Sequence, residues 1–431
     1  MKEMFAISHG SKVGMARKVQ RSAVPLNNGT ARISLLLRLF LMGIVILLGA
    51  VHANNLVPSS VGPLLSQISI TIIAMFVMYF LCIGNWKVVL PPEVLLTLAF
   101  TVWAATGFVI AQHRELYYTM YGTLVKTVAL YVLVVNTVRS RRDLLWMMAG
   151  YVIVVSVMFA ESSQIIEEAD SEGMRAAGTV GDANGLATWA TMGLVAISFV
   201  LVASRSKIVK GLALLPILPF MHMIVSSGSR SGLLGLVLLV IMLYWLVLLP
   251  WLKGGTAIVR LVGKAAGLLA VAATLYMVSS SAFWYRVEKT IGWGNYQSSL
   301  DSDVRTTLVK DGLSLVKDHP LTGIGYLQSR ASLRLVVHNT WAEAACSTGI
   351  PGVVFWLAAY IVLTVRVYRL RNNPLLSKTD RAALGVCLAF LFFWWFRSNF
   401  FNHCGDKVLL PMIAGITGYV VSVQARLNKC K

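Results

Sequence analysis

Apolar residues in this chain gather into long uninterrupted runs that are separated by polar segments. Each run covers roughly 17 to 25 residues, enough for a helix to cross a hydrocarbon layer of ~30 Å. Barrel strands would instead alternate apolar and polar positions over about ten residues. The pattern therefore predicts an all-α polytopic membrane protein with about twelve transmembrane helices. The predicted spans are 34–52, 63–82, 93–112, 119–138, 144–160, 185–203, 208–226, 231–250, 256–279, 342–365, 381–399 and 408–425.

Two connecting segments are much longer than the others, and a site that faces water is most easily built there. They run from Glu161 to Asn184 and from Ser280 to Asn339. Within the second, apolar residues of the stretch 306–317 lie close to one face of a helix. This spacing predicts an amphipathic helix that rests on the membrane surface.

The composition agrees with a membrane protein, and the distribution of charge predicts its orientation. Hydrophobic residues make up 57% of the chain and charged residues only 13%, against roughly a quarter in soluble domains. When segments are assigned to alternate sides, one side holds 25 Lys and Arg against 4 Asp and Glu, and the other holds 12 against 14. Cationic loops stay in the cytoplasm. We therefore expect cytoplasmic tails at 1–32 and 426–431, a transmembrane domain at 33–425, and both long loops outside.

The net charge of +20 thus mainly reflects the cationic loops that determine the orientation in the membrane. Attraction of these loops to anionic membrane lipids contributes as well. A role in nucleic-acid binding loses its support. In a bacterial inner membrane the outer side is the periplasm, where no nucleotide is available. A group transfer there needs a donor that is already activated on a lipid or other carrier.

The first candidate residue is Arg175, in a glycine-rich segment just before a predicted span. Unpaired backbone N–H groups at a helix start, together with an arginine, favour an anion-binding site. The alternative is an ordinary loop in which Asp182 or Asn184 caps the helix.

Arg230 lies in a short Ser-Gly turn between two apolar spans. An arginine in this position either extends towards the lipid headgroups or faces a polar cavity. The sequence alone leaves both alternatives open.

His338 and Asn339 directly precede a predicted span at the end of the long outer loop. A histidine there can act as a general base near neutral pH, with the amide orienting it. The alternative is a histidine that only packs or caps at the helix entrance.

Two groups of residues raise the question of a metal ion. Asp301 and Asp303 form an Asp-x-Asp pair, but Arg305 follows closely and helix capping explains the aspartates equally well. The segment from His403 to Asp406 lacks a second ligand pair at zinc spacing. We therefore expect no metal site and no cofactor.

These motifs, in this order, resemble those of the O-antigen ligase and polymerase superfamily. They are Arg-x-x-Gly-Thr-x-Gly-Asp-x-Asn at 175–184, Ser-Arg-Ser-Gly at 229–232, a late outer loop with Arg305, Asp-His-Pro-Leu-Thr-Gly-Ile-Gly at 318–325, His-Asn at 338–339 and Gly-Ile-Pro-Gly at 349–352. The similarity covers roughly residues 170 to 352.

The resemblance implies a fold of the C-type glycosyltransferase kind and a glycan donor carried on undecaprenyl pyrophosphate. In the ligases the glycan passes to a sugar of the lipid A core without a metal ion. Carried onto this sequence, the resemblance implies that Arg175, Arg230 and Arg305 bind the pyrophosphate and that His338 is the general base. We assign Asn184 and Asn339 to substrate binding beside them.

Three activities share these motifs: the ligase, the O-antigen polymerase and the O-linked protein oligosaccharyltransferase. We favour the ligase, by analogy, because the chain is compact and has one dominant outer loop. A lipid-linked glycan flippase is a more remote alternative, which predicts an internal repeat or paired broken helices. The sequence shows neither.

Overall fold

A computed structural model of the chain describes residues 28–52, 88–171, 182–252, 299–333, 337, 339–400 and 409–429. Every regular element in these ranges is helical. The longer helices are α1 Asn28–His52, α2 Pro92–Ala105, α3 Arg114–Thr137, α4 Arg141–Ser171, α5 Ala183–Ala203, α6 Lys207–Leu214, α7 Ile217–Ser226, α8 Arg230–Leu243, α9 Ser299–Asp318, α10 Thr340–Arg371, α11 Lys378–Arg397 and α12 Leu409–Asn428. Shorter helical turns cover Thr106–Val109, Tyr244–Leu248, Leu249–Leu252 and Ser329–Ser332.

Within the described residues, eight helical segments are long and apolar enough to cross a membrane. They correspond to predicted spans 93–112, 119–138, 144–160, 185–203, 208–226, 231–250, 342–365 and 381–399. Predicted spans 34–52 and 408–425 coincide with α1 and α12, which are helical but are not among these eight segments. Spans 63–82 and 256–279 lie outside the described residues. A polytopic helical protein is confirmed, and the number twelve stays a prediction.

Helices α5, α11 and α12 form the centre of the bundle. The apolar segment of α5 is 83% buried and that of α11 is 67% buried, whereas the other six of the eight segments are at most half buried. In α12, 14 of the 20 residues are buried. Glycines allow their neighbours to approach closely, as small residues do in many membrane bundles. A Cβ at Gly385 on α11 would lie only 2.7 Å from the carbonyl oxygen of Leu246.

One end of the bundle, here called the ion-pair end, is held by charged side chains. The ion pairs join Arg38 to Asp143, Arg141 to Asp380, and Arg366 to Glu93. Asp380 also accepts a hydrogen bond from the hydroxyl of Tyr419 at 2.9 Å. These contacts join the first half of α1, the beginnings of α2, α4 and α11, and the later parts of α10 and α12.

Helix α10 is interrupted at Gly349, whose backbone has φ 69° and ψ −174°. This is a region of backbone space that is essentially restricted to glycine. The break lets the segment 318–326 pack against the helix: the N–H of Ile350 donates to the carbonyl of Pro320 at 2.8 Å. A Cβ at position 349 would lie 2.3 Å from the carbonyl oxygen of Leu321. Two motifs that are well separated in the sequence, 318–325 and 349–352, therefore form one packed unit.

Helix α2 completes this unit. The indole N–H of Trp103 lies 3.2 Å from the carbonyl oxygen of Leu321 and 3.0 Å from that of Thr348. Thr348 lies directly before the break, where regular helical hydrogen bonding ends. Trp103 thus satisfies backbone oxygens that the interruption exposes.

The structure corrects three expectations about the long loops. Helix α4 continues to Ser171, well into the predicted loop from Glu161, and Asn184 is already inside α5. Helix α9 begins at Ser299 and not at 306, so Asp301 and Asp303 lie within the helix and do not cap it. The predicted apolar face is divided: Leu308 is buried, but Leu313 is 46% exposed.

Candidate functional site

A fully buried arginine, Arg397, lies at the end of the bundle opposite the ion pairs. Asp380 begins α11 at the ion-pair end and Arg397 ends the same helix, about 25 Å away at a rise of 1.5 Å per residue. The side chain of Arg397 is 0% exposed. We call this the Arg397 end of the bundle.

The guanidinium of Arg397 donates to groups on two other helices. One terminal nitrogen donates to the hydroxyl of Ser231 at the start of α8. The other donates to the backbone oxygen of Asn184 at 3.0 Å and to the hydroxyl of Thr188 at 2.6 Å, both on α5. A buried charge is costly unless it is hydrogen-bonded, and these contacts engage both terminal nitrogens of Arg397.

The packing of α8 against α11 leaves room for this side chain. A Cβ at Gly235 would lie 2.7 Å from the ring of Phe393 and 3.6 Å from Cδ of Arg397. Glycine at this position therefore lets α8 approach α11 closely beside the arginine.

Ser229 joins the Ser-Gly turn to the start of α5. Its hydroxyl donates to the side-chain oxygen of Asn184 at 2.7 Å, and it caps α8 by accepting from the N–H of Gly232 at 3.1 Å. Asp182 caps α5 in the same way, accepting from the N–H groups of Asn184 and Gly185. Capping residues of this kind satisfy the free N–H groups of a first helical turn.

Ser398, the residue after Arg397, contacts a third helix, α10. The N–H of Thr340, the first residue of α10, donates to the carbonyl oxygen of Ser398 at 2.8 Å. The adjacent residues Arg397 and Ser398 therefore hold the beginnings of α5, α8 and α10 together.

Asn339 caps α10 and makes a second contact with the segment after α11. Its side-chain oxygen accepts from the N–H groups of Trp341 and Ala342, both at 3.0 Å. Its amide nitrogen donates to the carbonyl of Asn399 at 3.3 Å. The side-chain groups of Asn184 and Asn339 are thus engaged in hydrogen bonds within the protein.

Of the three arginines and the histidine that the sequence predicts for the site, the structure describes the side chain of Arg230 alone. Arg230 is the first residue of α8; its side chain is exposed, while Ser229 and Ser231 on either side are buried. Arg305 lies on α9, and its side chain is outside the description. Arg175 and His338 lie outside the described residues.

A second buried cluster surrounds Glu343 on the first turns of α10. Its carboxylate is 0% exposed and accepts hydrogen bonds from the hydroxyls of Ser329 and Ser347, each at 2.7 Å. Both serines are buried as well.

The described residues contain no group of three or more side chains that could hold a metal ion. The segment from His403 to Asp406 falls outside them. Asp301 and Asp303 lie on α9, and their side chains are outside the description.

Sequence reasoning missed both Arg397 and Glu343. A signal was present for each: a charged residue at the end of a long apolar run is costly unless it has partners. The sequence did not reveal those partners, because they come from distant helices.

Chemically, the Arg397 end presents a cationic group among hydroxyls and helix beginnings. Arg230 is the exposed cation at the first turn of α8, where the helix dipole also favours negative charge. Arginine can donate two parallel hydrogen bonds to a phosphate. This end of the bundle is therefore suited to an anionic ligand.

Comparison with known families agrees with the resemblance seen in the sequence. Residues 212–357, about a third of the chain, match a family model described as O-antigen ligase. The match includes Arg230, Arg305 and His338. Members of this family are membrane glycosyltransferase-like enzymes. None of the curated proteins matches the chain.

Proposed function

We propose that this chain is an O-antigen ligase, because the match over residues 212–357 supports the O-antigen ligase and polymerase superfamily. It transfers a glycan from undecaprenyl pyrophosphate to a sugar hydroxyl of the lipid A core. The reaction takes place on the periplasmic side of a bacterial inner membrane and uses neither a metal ion nor a cofactor.

One observation carries the proposal: Arg397 and Ser398 gather the helix beginnings that bear or adjoin the candidate residues. Arg230 begins α8, Asn184 lies in the first turn of α5, and Asn339 caps α10. Asn339 also directly follows His338 in the sequence. Arg230, Asn184 and Asn339 therefore belong to chain segments that meet at one end of the bundle, which supports a shared site.

In the proposed reaction, the acceptor oxygen attacks the anomeric carbon of the donor glycan. His338 accepts the hydroxyl proton as the new carbon–oxygen bond forms. The bond from the anomeric carbon to the pyrophosphate oxygen breaks on the opposite face, which gives inversion. Undecaprenyl pyrophosphate leaves with its electron pair.

Arg175, Arg230 and Arg305 stabilise the negative charge that develops on this leaving group. Preorganised guanidinium groups are effective donors to such charge, and they take the place that a divalent ion occupies in other transferases. Asn184 and Asn339 shape the substrate-binding surface at the helix beginnings.

The proposed base is tested by comparing His338→Ala with His319→Ala in purified protein. Loss of a general base typically costs 10²–10⁴-fold in rate, so His338→Ala should lose most transfer and still bind the donor lipid. His319 is exposed beside the packed loop, and its replacement should have a milder effect. The wild-type rate should fall below about pH 6 to 7, where histidine becomes protonated and cannot accept a proton. A His338→Ala rate equal to wild type would exclude this base.

The activity itself is tested by lipopolysaccharide profiles of a strain that lacks this chain. Loss of attached glycan, with polymerised lipid-linked glycan accumulating, is the expected result. Attachment of single repeat units would identify a polymerase. A normal lipopolysaccharide profile with loss of glycan from proteins would identify an oligosaccharyltransferase.

A further inference from the structure

Two arginines meet at the ion-pair end of the bundle, beside the loop that joins α10 to α11. Arg371 is the last residue of α10, and Arg381 lies in the first turn of α11. A terminal nitrogen of Arg371 donates to the side-chain oxygen of Asn372 at 3.2 Å. A terminal nitrogen of Arg381 donates to the carbonyl oxygen of Asn373, also at 3.2 Å. Both guanidinium groups therefore lie against two adjacent residues of this loop.

The helical turn Tyr244–Leu248 borders the two arginines on another side. The second terminal nitrogen of Arg371 donates to the carbonyl oxygen of Leu246 at 2.7 Å. A Cβ at Gly385 would lie 2.7 Å from the same oxygen, and Gly385 is one helical turn after Arg381 on the same face of α11. Arg371 and Arg381 therefore share one small region between α10, α11 and this turn. We call the two residues the Arg371–Arg381 cluster.

Protein acceptors satisfy this cluster only in part. Arg371 is buried and Arg381 is partly buried. The Nε–H group of each arginine is buried and has no hydrogen-bond partner among the described residues. Buried donors in folded proteins are usually hydrogen-bonded, because a donor without an acceptor is destabilising. The cluster therefore has donors left for a further acceptor.

A negative charge is missing from the cluster as well. Four other arginines at this end of the bundle form ion pairs with carboxylates: Arg38, Arg141, Arg366 and Arg426. Within the described part of the chain, neither Arg371 nor Arg381 forms an ion pair. Neighbouring cations repel each other, and an anion bound to both removes that repulsion. The ligand expected here is therefore anionic.

Exposed aromatic side chains indicate that the cluster lies at the depth of lipid headgroups. Trp245, next to Leu246, is 59% exposed, and Tyr368, about one turn before Arg371 on α10, is 55% exposed. Trp and Tyr are enriched where a membrane protein meets the headgroup region. The phosphate groups nearest to this depth are those of the membrane lipids themselves.

We propose that the Arg371–Arg381 cluster binds the phosphate of an anionic phospholipid. Arginine can donate two parallel hydrogen bonds to phosphate oxygens, and basic pockets between transmembrane helices bind anionic lipid headgroups in other membrane proteins. The bound lipid holds together the end of α10, the start of α11 and the turn Tyr244–Leu248. This binding is independent of the proposed transfer reaction, which takes place at the opposite end of the bundle.

The test titrates phosphatidylglycerol into the detergent-solubilised, full-length protein and counts bound lipid by native mass spectrometry. The wild type should bind one phosphatidylglycerol molecule more tightly than phosphatidylcholine, whose choline group neutralises the phosphate. Arg371→Gln and Arg381→Gln should each weaken this binding about 10- to 100-fold, the range for loss of hydrogen bonds to a charged group. Equal affinity of the wild type for the two lipids would overturn the proposal, as would wild-type affinity in both glutamine variants.

Arg369→Gln is the matched control. Arg369 lies on the last turn of α10 and is exposed, so this variant removes the same charge close to the cluster. It should bind phosphatidylglycerol as the wild type does. If Arg369→Gln loses as much affinity as Arg381→Gln, the lipid is attracted only by the general positive charge, and the proposal is wrong.

Inorganic phosphate distinguishes a lipid site from a site for a free anion. Added phosphate should neither displace the bound phosphatidylglycerol nor raise the melting temperature, whereas phosphatidylglycerol should raise it. Displacement of the lipid by phosphate, with equal thermal protection by phosphate alone, would overturn the lipid assignment. Arg381→Lys keeps the charge but loses the paired donors, and it should also bind the lipid more weakly. This variant serves if the glutamine variants do not fold.

Discussion

Single residues at the Arg397 end have distinct surroundings, and these separate structural from ligand-binding roles. Arg397 is completely buried and both of its terminal nitrogens donate to protein acceptors, whereas the side chain of Arg230 is exposed at the first turn of α8. Replacement of the buried Arg397 should mainly lower the stability of the fold. Replacement of the exposed Arg230 should mainly weaken substrate binding or transfer. The two residues therefore call for different measurements.

Arg397→Lys should reduce stability, because an ammonium group cannot reproduce the planar arrangement of donors that meets Ser231, Asn184 and Thr188. Leaving a buried acceptor unsatisfied costs about 1–3 kcal/mol. We expect the melting temperature of the detergent-solubilised protein to fall by several degrees. The exposed Arg205→Lys variant is the control and should melt as wild type does. Equal melting of the two variants would contradict the role given to Arg397.

Arg230→Lys and Arg305→Lys should instead leave stability unchanged and reduce transfer. Lysine keeps the charge but loses the paired donors, and loss of one preorganised donor typically costs 10²–10³-fold. The quantity to measure is kcat/KM for the lipid-linked donor. Lys310→Arg, an exposed cation on the same helix as Arg305, should have no effect. Normal transfer by both lysine variants would leave only a general electrostatic role for these arginines.

The sequence singles out Arg230 but gives no reason to single out Arg397. Arg230 lies in a short polar turn between two apolar runs, and this can be recognised from the amino-acid sequence alone. The hydrogen-bond partners of Arg397 on α8 and α5 are 166 and 213 positions away. Their convergence depends on helix packing, which hydropathy and charge do not specify.

At the scale of helices and loops, the hydropathy pattern predicted the positions of the apolar helices well, but it did not predict where their polar ends begin and stop. Helix α9 begins several residues before Leu308, which is buried. Its first turns, 299–307, contain only two apolar residues among polar ones, so hydropathy gives a weak signal for a helix there. The break at Gly349 was also hidden, because the apolar run 342–365 continues through it. The glycine motifs were visible, but their mutual packing was not.

Gly349→Ala should destabilise the protein strongly. Alanine is strained at φ 69° and ψ −174°, and its Cβ would collide with the carbonyl of Leu321. Strain of this backbone type costs about 1–3 kcal/mol before the collision is added. The expected result is a large fall in melting temperature or in the yield of folded protein.

Gly122→Ala is the matched control for this change. Gly122 lies within α3, and a Cβ there would meet no atom within 4 Å. Alanine is favoured over glycine inside a helix by roughly 0.5–1 kcal/mol, so the control should be neutral or slightly stabilising. If Gly349→Ala is as stable as Gly122→Ala, the packed unit of segment 318–326 and α10 does not depend on the glycine.

For the whole molecule, the charge pattern and the structure agree on which chain segments share an end. Glu93, Asp143 and Asp380, all assigned to the cation-rich side, are each paired with an arginine at the ion-pair end. Asn184 and Arg397, assigned to the other side, meet at the opposite end. Charge counting could predict this grouping because it depends only on the order of the spans, whereas side-chain geometry needs their packing.

The orientation of the bundle is the last prediction, and it follows from the same charges. The cation-rich loops should face the cytoplasm, which places the Arg397 end and helix α9 in the periplasm. Ser314→Cys on α9 and Leu375→Cys in the loop between α10 and α11 test this, because both positions are exposed. The variants are made in a background without the native cysteines and treated with a membrane-impermeant maleimide in intact spheroplasts.

Ser314→Cys should react from outside, and Leu375→Cys should react only after the membrane is permeabilised. The unmodified cysteine-free protein gives the background signal, and its transfer activity shows that the native topology is kept. The reverse labelling pattern would place the Arg397 end in the cytoplasm. It would then separate the arginines and His338 from a periplasmic donor, because a site on the cytoplasmic side could not reach a glycan that is carried on the outer leaflet.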